Sequence, residues 1–184
     1  ITVQEGIPGN LGYGVGYRND LGIRLFGDVS YSNLWGQNHT WVFNASGNRR
    51  LDKYQFLEYS GQMSYIWPWI FMGETTFRPS FTAEKRQYIQ FNAETFGISA
   101  SFERAIWNKI GLSGMLTYSV ERIRQFGATN IVDNQQIRIG SITPLLRIDL
   151  RDNPVIPHRG FYALTSYEYA HPYLASQEIG RAHV

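Results

Sequence analysis

The chain has 184 residues, no cysteine and a net charge of +2. That length can enclose one sizeable interior. The missing cysteines exclude a disulfide framework and a thiolate metal site. So small a charge, with no basic stripe interleaved with aromatics, argues against a nucleic-acid partner.

Period-two segments recur about every twenty residues, with turn chemistry between them. The first is Leu11 to Tyr17, where Leu11, Tyr13, Val15 and Tyr17 alternate with Gly12, Gly14 and Gly16. In the second, Ile23 to Ser32, the residues Ile23, Leu25, Val29 and Tyr31 share one face and Arg24, Asp28, Ser30 and Ser32 the other. The third and fourth are Thr40 to Gly47 and Tyr54 to Ile66. The fifth, Gly73 to Ala83, sets Phe77 and Phe81 against Glu74, Thr76, Arg78 and Ser80. Phe91 to Arg104, Gly111 to Arg122, Ile137 to Leu150 and Phe161 to Ala170 complete nine expected strands.

These lengths suit membrane-crossing β-strands of about 9–11 residues with some overhang. The connections alternate in character. Asn33 to Asn38, Ile66 to Met72, Ala105 to Ile110 and the turn after Leu150 are short, and three of these four carry Trp, as an aromatic belt at one rim would. The opposite set, Asn48 to Lys53, Glu84 to Gln90 and Gln125 to Gln136, is longer and more polar, and only Arg18 to Gly22 there is tight. All three lysines, Lys53, Lys85 and Lys109, read as loop or turn residues. No apolar run reaches the roughly 20 residues of a spanning helix. Mean hydropathy is −0.30, but alternating strands average their apolar signal away. A soluble sandwich also alternates. Its polar face would be rich in Lys and Glu, whereas here it carries Gly, Ser, Thr, Asn and Gln, as a wet lumen would. Aromatics make up 15% of the chain, with 12 tyrosines, residues that favour membrane interfaces.

The densest local signal is Asp149-Leu150-Arg151-Asp152-Asn153-Pro154-Val155-Ile156-Pro157-His158-Arg159-Gly160. Asn153-Pro154 starts a turn, Pro157 holds the chain off the ladder and Gly160 can take a positive φ. It carries more charge than a turn needs. The pattern Asp149-x-Arg151-Asp152-Asn153-Pro154-x-x-Pro157-x-Arg159-Gly160 resembles the signature of the bacterial surface antigen family, the outer-membrane barrel shared by the BamA and TamA assembly factors. Gly14-Val15-Gly16-Tyr17 resembles that family's first barrel strand, Asn33-Leu34-Trp35-Gly36 its first periplasmic turn and Pro68-Trp69 the turn after its fourth strand. Val3-Gln4-Glu5-Gly6 with Pro8-Gly9 looks like the end of a POTRA domain. Arg159-Gly160-Phe161 echoes the family's Val-Arg-Gly-Phe loop motif, but His158 precedes it and it is assigned to the signature turn.

The resemblance implies an all-β, antiparallel transmembrane barrel in the bacterial outer membrane, with residues 1–8 ending a POTRA domain or linker and 9–184 supplying strands one to nine. Sixteen strands make up the family barrel, so the expectation is its first half. An odd strand count and a start at Ile1 without Met or signal peptide are the marks expected of a processed or shortened chain. A closed eight-stranded barrel with a trailing ninth segment is the other arrangement. Implied partners are unfolded outer-membrane proteins, the lipid bilayer, and accessory lipoproteins or an inner-membrane partner reached through POTRA domains. A two-partner secretion transporter, a passive channel, and the barrel of a fused patatin-type hydrolase are the alternatives.

No catalytic constellation is legible, and no cofactor or metal is expected. His39, His158, His171 and His183 lack ligand spacing. Gly12, Gly14 and Gly16 fall on one strand face with no helix after them, unlike a nucleotide loop. Function is therefore expected from backbone chemistry. The weakly packed first strand, Gly12, Tyr13, Gly14, Val15, Gly16 and Tyr17, could open at a seam and pair with an incoming strand. The glycines could equally serve curvature or leave room in the lumen. On the gate reading, Gly14→Pro removes a donor and impairs substrate insertion. In the signature turn, Arg151 or Arg159 is expected to reach a carboxylate such as Asp149.

Overall fold

The computed structural model describes residues 7–19, 22–49, 57–71, 73–88, 91–107, 111–127, 136–153 and 155–177. Alternation along the chain becomes alternation across one antiparallel sheet. Its strands are β1 (Gly9–Arg18), β2 (Gly22–Leu34), β3 (His39–Arg49), β4 (Leu57–Ile70), β5 (Thr75–Gln87), β6 (Asn92–Trp107), β7 (Leu112–Phe126), β8 (Gln136–Asp149), β9 (Tyr162–Ser166) and β10 (Tyr169–Ala170). They pair in sequence order through β8, whose far edge takes both β9 and β10. β1 stands at the other end, and among the described residues the sheet does not close.

The register sorts the side chains into two unlike faces. One cross-strand row reads Leu11, Val29, Phe43, Met63, Phe81, Ile98 and Val120. The adjacent row, on the opposite face, reads Gly12, Asp28, Asn44, Gln62, Thr82, Gly97 and Glu121. Hydroxyls bridge strands on this polar face: Ser64 Oγ lies 3.0 Å from Ser80 Oγ, and Ser119 Oγ 3.0 Å from Ser141 Oγ. Among the described residues the only buried apolar side chain is Ala93. A sandwich would bury its aromatic face against a second sheet. Here Leu25, Phe43, Met63, Phe81, Ile98 and Leu116 stay exposed, which is stable only where the solvent is hydrocarbon.

The connections between β2 and β3, β4 and β5, β6 and β7, and β8 and β9 form one rim. Trp35, Trp67, Trp69 and Trp107 all lie there. In the first of these turns Asn33, Trp35, Gly36 and Asn38 all have positive φ. Gly36 N–H donates to Asn33 O at 3.1 Å, and Asn38 N–H to Asn33 Oδ1 at 3.0 Å. Beside this turn His39 is buried, hydrogen-bonded through Nδ1 to the Tyr65 hydroxyl, with the Trp67 ring 5.4 Å away.

Strand ends run further than alternation suggests. β4 continues through Trp67, Pro68 and Trp69 to Ile70, with a register shift between Trp67 and Ile70; Ile66 to Ile70 is strand rather than free turn. β5 continues through Glu84–Gln87, which reads as loop in sequence. Lys85 is a ladder residue there, opposite Glu94 with Nζ 3.4 Å from Oε1. Pairing of opposite charges across strands lets the ladder continue past the apolar band. Lys53, Lys109 and Tyr54 lie outside the described residues.

The ninth expected strand is broken in two. Pro144 O accepts from Tyr167 N–H at 3.1 Å, but Pro144 has no N–H to return, so the ladder lapses between β9 and β10. Beyond β10 a 3-10 turn at Pro172–Leu174 crosses Gly140. A Cβ at Gly140 would stand 1.6 Å from Leu174 O, so only glycine admits this crossing.

Candidate functional site

The two expected sites lie at different places: the open edge of β1, and the β8–β9 turn at the Trp-bearing rim.

Among the described residues β1 is hydrogen-bonded to a strand on one side only. Which groups face outward follows from one bond: Ser32 N–H donates to Pro8 O at 2.8 Å. In an antiparallel ladder, hydrogen-bonded and non-bonded pairs alternate. The register pairs Asn10 with Ser30, Gly12 with Asp28, Gly14 with Phe26 and Gly16 with Arg24. These even-numbered residues therefore spend their N–H and C=O on β2. Leu11, Tyr13, Val15 and Tyr17 turn theirs to the open edge. Tyr13 and Val15 on that row are 84% and 72% exposed.

This corrects the expectation for Gly14. Its N–H serves β2, so Gly14→Pro would break the β1–β2 ladder and leave the edge donors intact. The glycines also have specific neighbours. A Cβ on Gly12 would lie 2.4 Å from Asp28 Oδ1, and one on Gly14 2.3 Å from Phe26 Cζ. A Cβ on Gly16 would meet nothing within 4 Å. Phe26 and Asp28 thus lean over β1 on the polar face, and the Arg24 guanidinium stands 5.8 Å from the Phe26 ring centre. Gly12 and Gly14 make room for this layer.

In the signature turn Asp149 is the last residue of β8, opposite Tyr162 of β9. Arg151 folds back onto that pair. Its Nε and Nη2 each lie 2.8 Å from an Asp149 oxygen, a two-pronged contact, and its guanidinium sits 4.6 Å from the Tyr162 ring centre. The Asp149 carboxylate raises the Arg151 pKa above its usual value, chiefly through this side-chain hydrogen bond. Arg159 supplies main-chain groups: its O accepts from Asp152 N–H at 3.0 Å, and its N–H donates to Asp152 Oδ1 at 3.2 Å. Asp152 Oδ1 also accepts from Asn153 and His158 N–H at 2.9 and 3.0 Å. These backbone donors, Arg159 first, hold its carboxyl below the usual carboxylate range. Asn153 Oδ1 accepts from Val155 N–H at 2.8 Å. Gly160 has φ of 117°, and a Cβ there would stand 2.3 Å from Leu150 O. Pro157 is exposed, and Pro154 lies outside the described residues.

Among the described residues no cluster of His, Asp or Glu could hold a metal. The arrangement offers a main-chain edge and a braced rim. The family model described as Omp85 superfamily domain matches residues 33–179, from the first Trp-bearing turn through the signature turn and β10.

The chain belongs to the Omp85 superfamily.

Its fold has a counterpart in the crystal structure of BamA from Haemophilus ducreyi lacking POTRA domains 1-3, with a TM-score of 0.69 at 14% sequence identity. The match covers 92% of this chain and 35% of that one, so the chain spans about a third of the relative's length. The open sheet of this Omp85 chain has the fold of part of that barrel. No curated protein matches the chain.

Sequence reading missed the bracing around the turn. Asp149 N–H donates to Gly111 O at 3.1 Å, and a Cβ on Gly111 would stand 2.0 Å from Asp149 O. Arg147 Nε donates to Ser113 Oγ at 3.0 Å. These contacts tie the β6–β7 turn to the signature turn. The cue available was the Gly111 beside a strand start, a position that suits positive φ.

Proposed function

We propose that this protein inserts β-rich proteins into the bacterial outer membrane by pairing their strands with the β1 edge. The observation that carries the reading is the row of main-chain groups at Leu11, Tyr13, Val15 and Tyr17, turned away from β2 with no partner strand beside them among the described residues. In lipid an unpaired N–H or C=O costs several kcal/mol. The edge is therefore closed at rest by another strand and opens only in exchange for an incoming one. Main-chain bonds supply affinity, and Tyr13, Val15 and Tyr17 supply selectivity for alternate side chains.

The Trp-bearing rim with short turns faces the periplasm, and the longer connections face outside. Substrates are unfolded outer-membrane proteins that arrive at the periplasmic rim. Accessory lipoproteins or an inner-membrane partner would act through POTRA domains. Pairing of this kind uses no catalytic group, cofactor or metal.

The reading is tested by disulfide trapping. With Val15→Cys in the full-length protein, a cysteine in the terminal strand of a substrate barrel should cross-link during insertion, while Phe81→Cys, in the middle of the sheet, should not. Equal trapping at the two positions, or none at Val15, would reject strand addition at β1.

A further inference from the structure

On the outward face, β7 and β8 change character at one level. From the Trp-bearing rim upward β7 presents Leu112, Gly114, Leu116, Tyr118 and Val120, and then Arg122 and Arg124. β8 presents Ile148, Leu146, Pro144, Ile142 and Gly140 opposite these, and then Arg138. Arg122 and Arg138 are direct cross-strand partners, and Arg124 lies two residues beyond Arg122 on the same face. Like charges placed opposite each other destabilise a sheet. Some compensation is present: Arg124 faces Glu94 across the β6–β7 ladder, and Glu94 already binds Lys85. Among the described residues no carboxylate lies in ion-pair contact with Arg122, Arg124 or Arg138. Arg122 Nη2 donates to Gln136 Oε1 at 2.7 Å, which holds its guanidinium toward β8. The Arg138 main chain is fixed on both sides, donating to Gln177 Oε1 at 3.1 Å and accepting from Gln177 N–H at 2.8 Å.

The height of this cluster identifies its surroundings. Leu112 to Arg122 is about 34 Å along the strand at ~3.4 Å per residue, and roughly 26 Å after a ~40° tilt. That is about the height of an outer-membrane barrel's apolar band. The arginines therefore sit where lipid head groups begin, above an apolar column that suits acyl chains.

We propose that Arg122, Arg124 and Arg138 form a binding site for the phosphate of a membrane lipid in the leaflet at the loop rim, with its acyl chains lying along Val120, Ile98, Leu116 and Phe102 on the β6 side of the column, because Leu174 covers Gly140 and the Tyr118 hydroxyl on the β8 side. Two or three guanidinium groups carried on one face of adjacent strands match a phosphate's several acceptor oxygens. A neutral head group would leave the Arg122–Arg138 repulsion in place. The site rests on the barrel reading of the outward face and not on strand addition at β1.

The test uses the full-length protein in nanodiscs of phosphatidylcholine doped with bisphosphorylated lipid A or with its dephosphorylated counterpart. Retained lipid is counted by native mass spectrometry after detergent extraction. The wild-type protein should retain the phosphorylated lipid and not the other, and R122Q/R124Q/R138Q should lower retention at least about tenfold. Heat-modifiable gel mobility reports separately whether each protein is a folded barrel, so loss of the barrel is distinguishable from loss of the site. Equal retention of the two lipids by the folded wild type overturns the proposal, and that comparison needs no variant. Undiminished retention by a folded triple variant also overturns it. Displacement of the lipid by millimolar inorganic phosphate would reassign the site to a free anion and equally overturn it.

Discussion

The side of β1 to which each amide points gives an unusually sharp prediction for two neighbouring residues. Val15→Pro removes an N–H from the edge of β1 that faces away from β2, so every β1–β2 ladder bond is kept. Gly14→Pro removes an N–H that bonds to β2 opposite Phe26. It also introduces atoms where a Cβ would already stand 2.3 Å from the Phe26 ring. One main-chain hydrogen bond is worth about 1 kcal/mol net, so Val15→Pro should weaken pairing with an incoming strand about fivefold. Tyr13→Pro/Val15→Pro removes two donors and should weaken it about thirtyfold. Gly14→Pro leaves a β2 carbonyl unpaired and should instead lower barrel stability by about 1–3 kcal/mol. The assay is insertion of a reporter barrel by the full-length protein in proteoliposomes, with urea unfolding followed by gel mobility in parallel. The account predicts slowed insertion with a stable barrel for Val15→Pro, and an unstable barrel for Gly14→Pro. Wild-type insertion by Tyr13→Pro/Val15→Pro would refute the assignment of edge donors.

Other consequences concern the rim and the crossing at β8. Gly160→Ala forces a Cβ against Leu150 O at a positive φ and should destabilise the turn by about 1–3 kcal/mol, read as a lower urea midpoint. The Asp152 carboxyl is depressed by backbone donors when folded. Its contribution is complete above the ordinary carboxylate pKa and is lost as pH falls through the lower folded value. Amide exchange at His158 and Arg159 should therefore accelerate only in acid, and Asp152→Asn should reduce that dependence. Gly140→Ala should lift the Pro172–Leu174 turn and break the 3.2 Å bond from the Tyr118 hydroxyl to Leu174 O, exposing residues 172–177 to protease.

Strand existence, order and facing were legible because side-chain alternation is dictated by the solvent on each face, and here one solvent is lipid. Ile23, Leu25, Val29 and Tyr31 fall on one face as their period requires. Strand ends were less legible, because Glu84, Lys85 and Arg86 resemble loop residues until their partners are known. Lys85 is matched by Glu94, and Arg86 by Glu84. The break between β9 and β10 follows from Pro144, but only once its missing N–H is known to face that strand. The same limit applied at Gly14. Side-chain period says which face a residue occupies and nothing about which neighbour its amide serves. In the signature turn the Arg151–Asp149 contact was expected. The role of Asp152 as acceptor for three amides was not, because those donors become neighbours only after Arg159 folds back over it.

The central claim is that neighbouring residues on each strand meet different solvents. Single nitroxide labels at Leu116, Thr117, Tyr118, Ser119 and Val120 of the full-length protein in a bilayer test it directly. Collision with oxygen should peak at positions 116, 118 and 120, and collision with a water-soluble nickel chelate at 117 and 119. Uniform accessibility along these five positions, or the opposite phase, would contradict the barrel account.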